Sequence, residues 1–330
     1  MKSWWRKARA EAASPPESVT PAPDTGAEHV LRRLEWTVVR RLDGLLQGDY
    51  RTLMRGGGLD LADLREYQHY DDVRHIDWNV TARTTVPHVR VFTEDREMAA
   101  WFLLDLSPSV DFGSGELRKR NVSADFVAVL ARMLTRHGNR VGAMLYGSGV
   151  DTVIPTRGGR RHVLHLLHAM HSRPIARETG QTQLRDLLES AASLIKRRST
   201  LFVVSDFIST PGWERSLGQL AQRHDVVAVR LLDPLELQLP DLGLLTLRDA
   251  ETGEQVLVDT HDPSFRKRFA RIAAQREAEL REALVRASVD TLELSTDADL
   301  VEAMVRFIEM RKRRARLSSG SLPAHLRQVA

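Results

Sequence analysis

Short apolar runs alternate with helical periods along most of the chain. "WFLL" (101–104), "VGAMLY" (141–146), "VDTVIP" (150–155), "TLFVVS" (200–205) and "VVAVRLL" (226–232) have the length and apolar character of strands. Between them lie segments with apolar residues at three- and four-residue steps. In 122–138 these are Val122, Phe126, Val129, Leu130 and Met133, closed by Arg136, His137 and Gly138. In 183–198 they are Leu184, Leu187, Leu188, Ala191 and Leu194, and "RHVLHLLHAMH" and "WERSLGQLAQRH" read as two more helices. Strands alternating with helices predict an α/β fold: a mainly parallel, doubly wound sheet covered on both faces.

The rhythm differs at either end. Leu31, Leu34, Val38, Leu42 and Leu45 share one face of a helix expected over 31–46. The charged and aromatic stretch that follows, with "PHVRVF" alternating like a strand, predicts a small, mostly β subdomain, so that 28–98 forms an N-terminal unit. The α/β domain then runs over 99–313. Within it "LLTLRDAETGEQVLVDT" reads as a hairpin insertion near 244–259, turning at Thr252-Gly253. A long helix from Pro263, a strand "VDTLELS" and a helix "ADLVEAMVRFIEMRKRRAR" complete the pattern. Residues 1–27, rich in Ala, Pro and Ser, read as a disordered leader, and 314–330 as a flexible tail. The Trp4-Trp5 pair in that leader could touch a membrane surface, but a loose terminus is the plainer reading.

Composition changes this picture little. No apolar run approaches the ~20 residues of a membrane-spanning helix and the N-terminus lacks the apolar stretch of a signal peptide, so a cytoplasmic protein is expected. The absence of cysteine excludes disulfides, thiolate zinc sites and cysteine nucleophiles. A net charge of +4 over 330 residues is too small to point to nucleic acid. The clusters "TRGGRR" and "RKRRAR" lack interleaved aromatics and read as solvated helix ends rather than a specific nucleic-acid surface.

The chemistry concentrates where apolar strands end. "WFLLDLSPS" closes a buried strand with Asp105 and puts Ser107 and Ser109 on the loop beyond it. Asp206 follows "TLFVVS", and Thr182 precedes a helix leading into that strand. Ligands of open α/β sheets bind outside the carboxyl ends of the strands. Hydroxyls and carboxylates are hard oxygen donors suited to Mg²⁺ or Mn²⁺, and Mg²⁺ takes octahedral oxygen at about 2.0–2.1 Å. Two carboxylates balance one divalent ion, leaving it able to accept a further carboxylate from a partner protein. Each residue alone has a plainer role, as a helix cap or a turn former; their joint placement at the correct ends of the correct elements is what argues for a site.

The pattern D-x-S-x-S ("DLSPS"), then a threonine ("TQL"), then an Asp after a later strand ("VVSDF") resembles the metal-ion-dependent adhesion site of von Willebrand factor A-like domains. Over roughly 46–232 the chain resembles the bacterial "domain of unknown function 58" group, most specifically in "RGGGLDLADLREYQHYDDVRHIDWNVTART" and also in "RHGNRVGAMLYGSGVDTVIPTRGG". The resemblance implies a von Willebrand A-like fold. It implies Asp105, Ser107 and Ser109 as the first motif, Thr182 as the second and Asp206 as the third. It also implies a role as adaptor or chaperone partner of a MoxR-type AAA+ ATPase. Gln183 stands where the group often has Asp, at a position that is not a direct ligand.

The expectation is thus a non-catalytic, metal-dependent protein-interaction module whose partner or client offers an acidic side chain. The alternative is a metal-assisted phosphoesterase using the same cluster, for which the sequence supplies no general base. A haloacid-dehalogenase-type phosphatase needs an acid two residues after its nucleophile, where Ser107 stands. "YGSGV" lacks the second flanking glycine of a nucleophile elbow at the required spacing, and no P-loop motif occurs. His162, His165, His168 and His171 fan over half a helix and read as a solvated face, with zinc binding by neighbouring pairs the lesser reading. In "REYQHYDDVRHIDWN", the acids Asp71, Asp72 and Asp77 are expected to pair with Arg65, Arg74 and Arg83 rather than form a metal site with His69 and His75. Tyr67, Tyr70 and Trp78 are expected to pack this subdomain on the larger one.

Overall fold

The computed structural model describes residues 25–39, 42, 63–68, 76, 78–91, 99–173, 181–250 and 252–318. Its centre is a six-stranded sheet. β3 (Ala99–Asp105), β4 (Arg140–Tyr146), β6 (Thr200–Ser205), β7 (Asp225–Leu232) and β10 (Asp290–Ser295) run parallel, and β5 (Val150–Arg157) pairs antiparallel with β4 at one edge. The order is β10-β7-β6-β3-β4-β5. This is the mainly parallel, doubly wound sheet that the alternation predicts; the 150–157 strand forms a hairpin because only Gly147–Gly149 separate it from β4, too few residues for a parallel crossover.

Strand alternation sends side chains into two cores. Phe102, Leu104, Phe202, Val204, Val227 and Val229 pack under α1 (Thr25–Leu34), α3 (Lys119–Arg136), α4 (Arg160–His171) and α8 (Leu300–Ser318). There Phe102 stacks on Phe202 at 5.5 Å, and Phe126 of α3 meets both rings edge-on. Leu103, Met144, Leu201, Val203 and Ala228 pack under α5 (Leu184–Leu194), α6 (Trp213–Arg223) and α7 (Pro263–Arg286). The sheet interior is largely apolar because helices cover both faces; buried Arg230 of β7 interrupts it, paired with Glu277 of α7 and Glu293 of β10.

The N-terminal unit contains an antiparallel ribbon of β1 (Asp63–Glu66) and β2 (His88–Val91), with the short helix α2 (Trp78–Thr84) between them. The sequence pattern groups α1 with this ribbon. Leu31, Leu34, Val39 and Leu42 nevertheless lie in the same buried cluster as Phe102 and Phe126, so the helix covers the large sheet. Trp78 is 69% exposed, so it does not pack the ribbon on the larger domain as expected; it opens α2 facing solvent. Tyr70, His69, Asp71, Asp72, Arg74, His75 and Asp77 lie outside the described residues, as do residues 1–24 of the leader and 319–330 of the tail.

Other differences are local. α5 stops at Leu194, which is 48% exposed; Ile195, extended after the helix, takes the buried position instead. α8 continues to Ser318, past the expected boundary at 313. Beyond that boundary Arg314 pairs with Asp290, and just before it the buried Arg311 reaches Asp225 Oδ1 at 2.7 Å and Asp290 Oδ2 at 2.8 Å, so the end of the helix is tied to β7 and β10. The hairpin β8 (Leu244–Arg248) and β9 (Gln255–Asp259) forms its own two-stranded sheet, turning at Gly253 with φ +73°.

Candidate functional site

The sheet order locates a crevice. From β3 the chain crosses through α3 to β4 on one side, whereas β6, on the other side of β3, starts the opposite half of the sheet. The winding therefore reverses between β3 and β6, and ligand crevices form outside the strand ends at such a point. Leu104 pairs with Val204 in parallel register, so Asp105 and Ser205 end adjacent strands, with Asp206 one residue beyond.

Both carboxylates are buried. Asp105 Oδ1 accepts from the Ser107 backbone N–H at 3.0 Å, and its Oδ2 accepts from the Ser205 hydroxyl at 2.6 Å. Ser107 Oγ and Ser109 Oγ are 3.1 Å apart, joined by a hydrogen bond. Asp206 Oδ1 accepts from the Ile208 N–H at 3.0 Å. Phe207, between them, has φ +59°, a left-handed conformation disfavoured for a residue with a side chain. It is held by a bond from its N–H to Ser205 Oγ at 2.9 Å and by its ring packing on Trp213 at 5.2 Å. The sharp turn redirects the chain immediately beyond Asp206.

Thr182 is also buried. Its carbonyl accepts from Ser209 Oγ at 2.8 Å and from Thr210 N–H at 3.0 Å, so the segment before α5 is bound to the loop after β6. Gln183 stands at the N-cap of α5, one residue after Thr182, and the first helical N–H, at Leu184, is satisfied by Ser209 Oγ at 2.9 Å. Gln183 donates its backbone N–H to the Tyr146 hydroxyl at the end of β4. The expected residues thus fall on three loops at one end of the sheet, and hydrogen bonds join the Asp105 and Asp206 loops and the Thr182 and Asp206 loops.

The electrostatics show the cost of this arrangement. Burial, and next the charge of Asp206, push the Asp105 carboxyl up from 3.8 to about 6, against the hydrogen bonds from Ser205 and Ser107. Two buried carboxylates repelling one another are what a divalent cation neutralises. Three further oxygens, from Ser107, Ser109 and Thr182, are hydroxyls, so the donor set fits Mg²⁺ or Mn²⁺ and not a soft metal. Among the described residues no group of three or more His, Cys, Asp or Glu side chains is arranged to hold a metal ion, so a cation here would depend on the hydroxyls.

Sequence reasoning missed two charged residues. Lys119 is fully buried, and its Nζ donates to Asp206 Oδ2 at 2.7 Å and to Glu236 Oε1 at 2.6 Å. In "ELRKR" nothing separates it from Arg118 and Arg120 on either side. Glu236 had a legible signal: Asp233 and Glu236 form a D-x-x-E capping box, with Asp233 accepting from Leu235 N–H and Glu236 Oε2 accepting from Asp233 N–H. Asp233 Oδ2 also accepts from Ser114 N–H at 2.9 Å and Thr296 Oγ1 at 2.7 Å, joining the loops after β3, β7 and β10.

The histidine face is only partly solvated. His165, His168 and His171 are exposed, but His162 is buried with Nε2 2.7 Å from the Val141 carbonyl. It packs α4 on β4, because the start of the helix lies against that strand.

Comparison with known proteins places the chain. An uncharacterized protein of Mycobacterium tuberculosis is 38% identical over 295 residues, covering 89% of this chain and 91% of that one. An uncharacterized protein of Mycobacterium avium is 34% identical over 164 residues, 50% of this chain and 96% of the other. Among solved structures, BatB from Bacteroides thetaiotaomicron is similar with a TM-score of 0.42 at 12% identity, over 66% of this chain and 99% of that one. The VWA domain of SpRpn10 is similar with a TM-score of 0.37 at 14% identity, over 68% and 99%. The family model described as "Protein of unknown function DUF58" matches residues 63–279, and the chain belongs to that family.

Proposed function

We propose that this protein is a metal-dependent protein-interaction module. The observation that carries the reading is the meeting of Asp105 and Asp206 at the ends of adjacent strands, both buried and linked through Ser205, with Ser107 and Ser109 on the same loop as Asp105. Asp105, Ser107, Ser109, Thr182 and Asp206 would hold Mg²⁺ or Mn²⁺, directly or through water. When bound, the ion supplies a Lewis-acidic position for a carboxylate of a partner. The chain's own residues do the rest. Ser205 and the Ser107 N–H orient Asp105, and the Phe207 turn orients Asp206.

The loops around the crevice carry exposed apolar side chains: Phe112 at 40% and Ile208 at 49%. Phe112 follows the Ser109 loop and Ile208 follows Asp206, so a partner's acidic side chain would enter between apolar contacts, as in the core of an interface. The partner in this reading is a MoxR-type AAA+ ATPase or its client, in the cytoplasm, and the module itself performs no chemistry. Among the described residues no helix is long and apolar enough to cross a membrane.

Titration with Mg²⁺ and Mn²⁺, and co-precipitation with the ATPase with and without chelator, test the reading. Asp105→Ala is expected to keep the fold and lose at least tenfold in cation-dependent association, about 1.4 kcal/mol. Association unchanged by chelator overturns it.

A further inference from the structure

Lys119 is in a place that two general rules disfavour. It is the first residue of α3, where the helix dipole favours anions, and it is fully removed from water. Its position is explained by its partners. Asp206 and Glu236 take two of its three ammonium protons, and the Phe112 ring covers it with its centroid 5.9 Å from Nζ. Glu236 is pre-placed for this: its other oxygen is fixed by the Asp233 N–H in the capping box. Burial opposes the charge on Lys119, but the two carboxylates outweigh it and hold its pKa above the ordinary value.

The group that Lys119 binds is one of the two carboxylates of the crevice. Asp206 Oδ2 carries the ammonium and Oδ1 the Ile208 N–H. Three carboxylates, Asp105, Asp206 and Glu236, against the one ammonium of Lys119 leave a fixed charge of −2, which one divalent cation cancels. Resting on the cation site proposed above, we propose that Lys119 is a resident counter-ion of the crevice: it keeps Asp206 ordered without a divalent cation and sets the affinity for that cation low by competing for the same carboxylate. Glu236 is the device that holds the ammonium there.

Charge variants give a ladder. Lys119→Met leaves −3 and is expected to bind Mn²⁺ at least about tenfold tighter, since a unit charge is removed within a few ångströms of the ion. Glu236→Gln leaves −1 and is expected to bind several-fold weaker. The double variant K119M/E236Q restores −2 and is expected to return to within about threefold of the native chain. Calorimetry with Mn²⁺ alone, and spin resonance of the bound ion, read the affinities. Unfolding in chelator reads the second half of the proposal: K119M melts lower than the native chain and regains the loss when Mn²⁺ is added.

Equal or weaker Mn²⁺ binding by K119M overturns the proposal, and so does a double variant that stays at either single variant's affinity. If K119M does not fold, E236Q and the double variant decide by the same criteria. A native chain that binds Mn²⁺ with a flat ladder sinks this inference and leaves the cation site standing. A native chain that does not bind beside a K119M variant that does supports the counter-ion role and sinks the site as a working one. No binding by any variant sinks both.

Discussion

At the scale of single residues, the crevice trades stability for charge. Folded Asp105 keeps its proton to about pH 6, whereas an unfolded aspartate releases it near 3.9. Between those values the folded chain binds more protons than the unfolded one, so stability in chelator falls as pH rises through the window. The elevation corresponds to at most about 3 kcal/mol. Asp105→Asn removes the ionisation but keeps the shape. In chelator at pH 7 it is expected to be more stable than the native chain by about 1–2 kcal/mol, an advantage that vanishes near pH 4. Urea unfolding at the two pH values checks this; a variant less stable at pH 7 would show that the carboxylate's hydrogen bonds outweigh its repulsion. Asp233 has the opposite sign. Burial would raise it, but the hydrogen bonds from Ser114, Thr296 and Leu235 hold its pKa below the ordinary value, so its contribution is present above about pH 4 and is lost as pH falls through the folded pKa. Asp233→Ala should cost about 2–3 kcal/mol at pH 7, by thermal or urea unfolding.

At the scale of elements, periodicity sufficed for most of the fold. Val122, Phe126, Val129, Leu130 and Met133 are all buried as their spacing in α3 requires, because a helix on a sheet has one apolar face and its residues recur every three or four positions. The residues for which spacing failed sit at element ends. Leu194 continues the period of α5, but the helix ends there and Ile195 turns inward. His162 continues the histidine period of α4, but the start of that helix faces the Val141 carbonyl. Ends are decided by neighbouring elements, which a local pattern does not contain. Of the site, Asp105, Ser107, Ser109 and Asp206 were legible because apolar strands stop abruptly at polar residues. Lys119 was not, since burial of a lysine depends on partners 87 and 117 residues away.

At the scale of the molecule, the first and last helices of the described residues are both bound into the core. α1 covers the sheet beside α3 and α4, and α8 is locked across the starts of β7 and β10 by Arg311. Removing one member of a buried ion network costs up to about 3–5 kcal/mol, and here Asp290 would keep Arg314. Arg311→Met is expected to lower the urea midpoint by that equivalent without changing the slope, because the loss lies in the native state. A loss below about 1 kcal/mol would show that Arg314 and the surrounding groups suffice for the two carboxylates.

The class of fold, the order of its elements and the carboxylates and hydroxyls at the strand ends are legible in the amino-acid order alone. These follow from local periodicity and from where apolar runs stop, and both are written along the chain. Packing makes β3 and β6 neighbours, so that Asp105 and Asp206 share a crevice, and packing brings Lys119 and Glu236 beside them. Strand order and the pairing of distant charges are settled by how helices cover two faces of one sheet and by which charges burial forces together, and these are properties of the packed molecule.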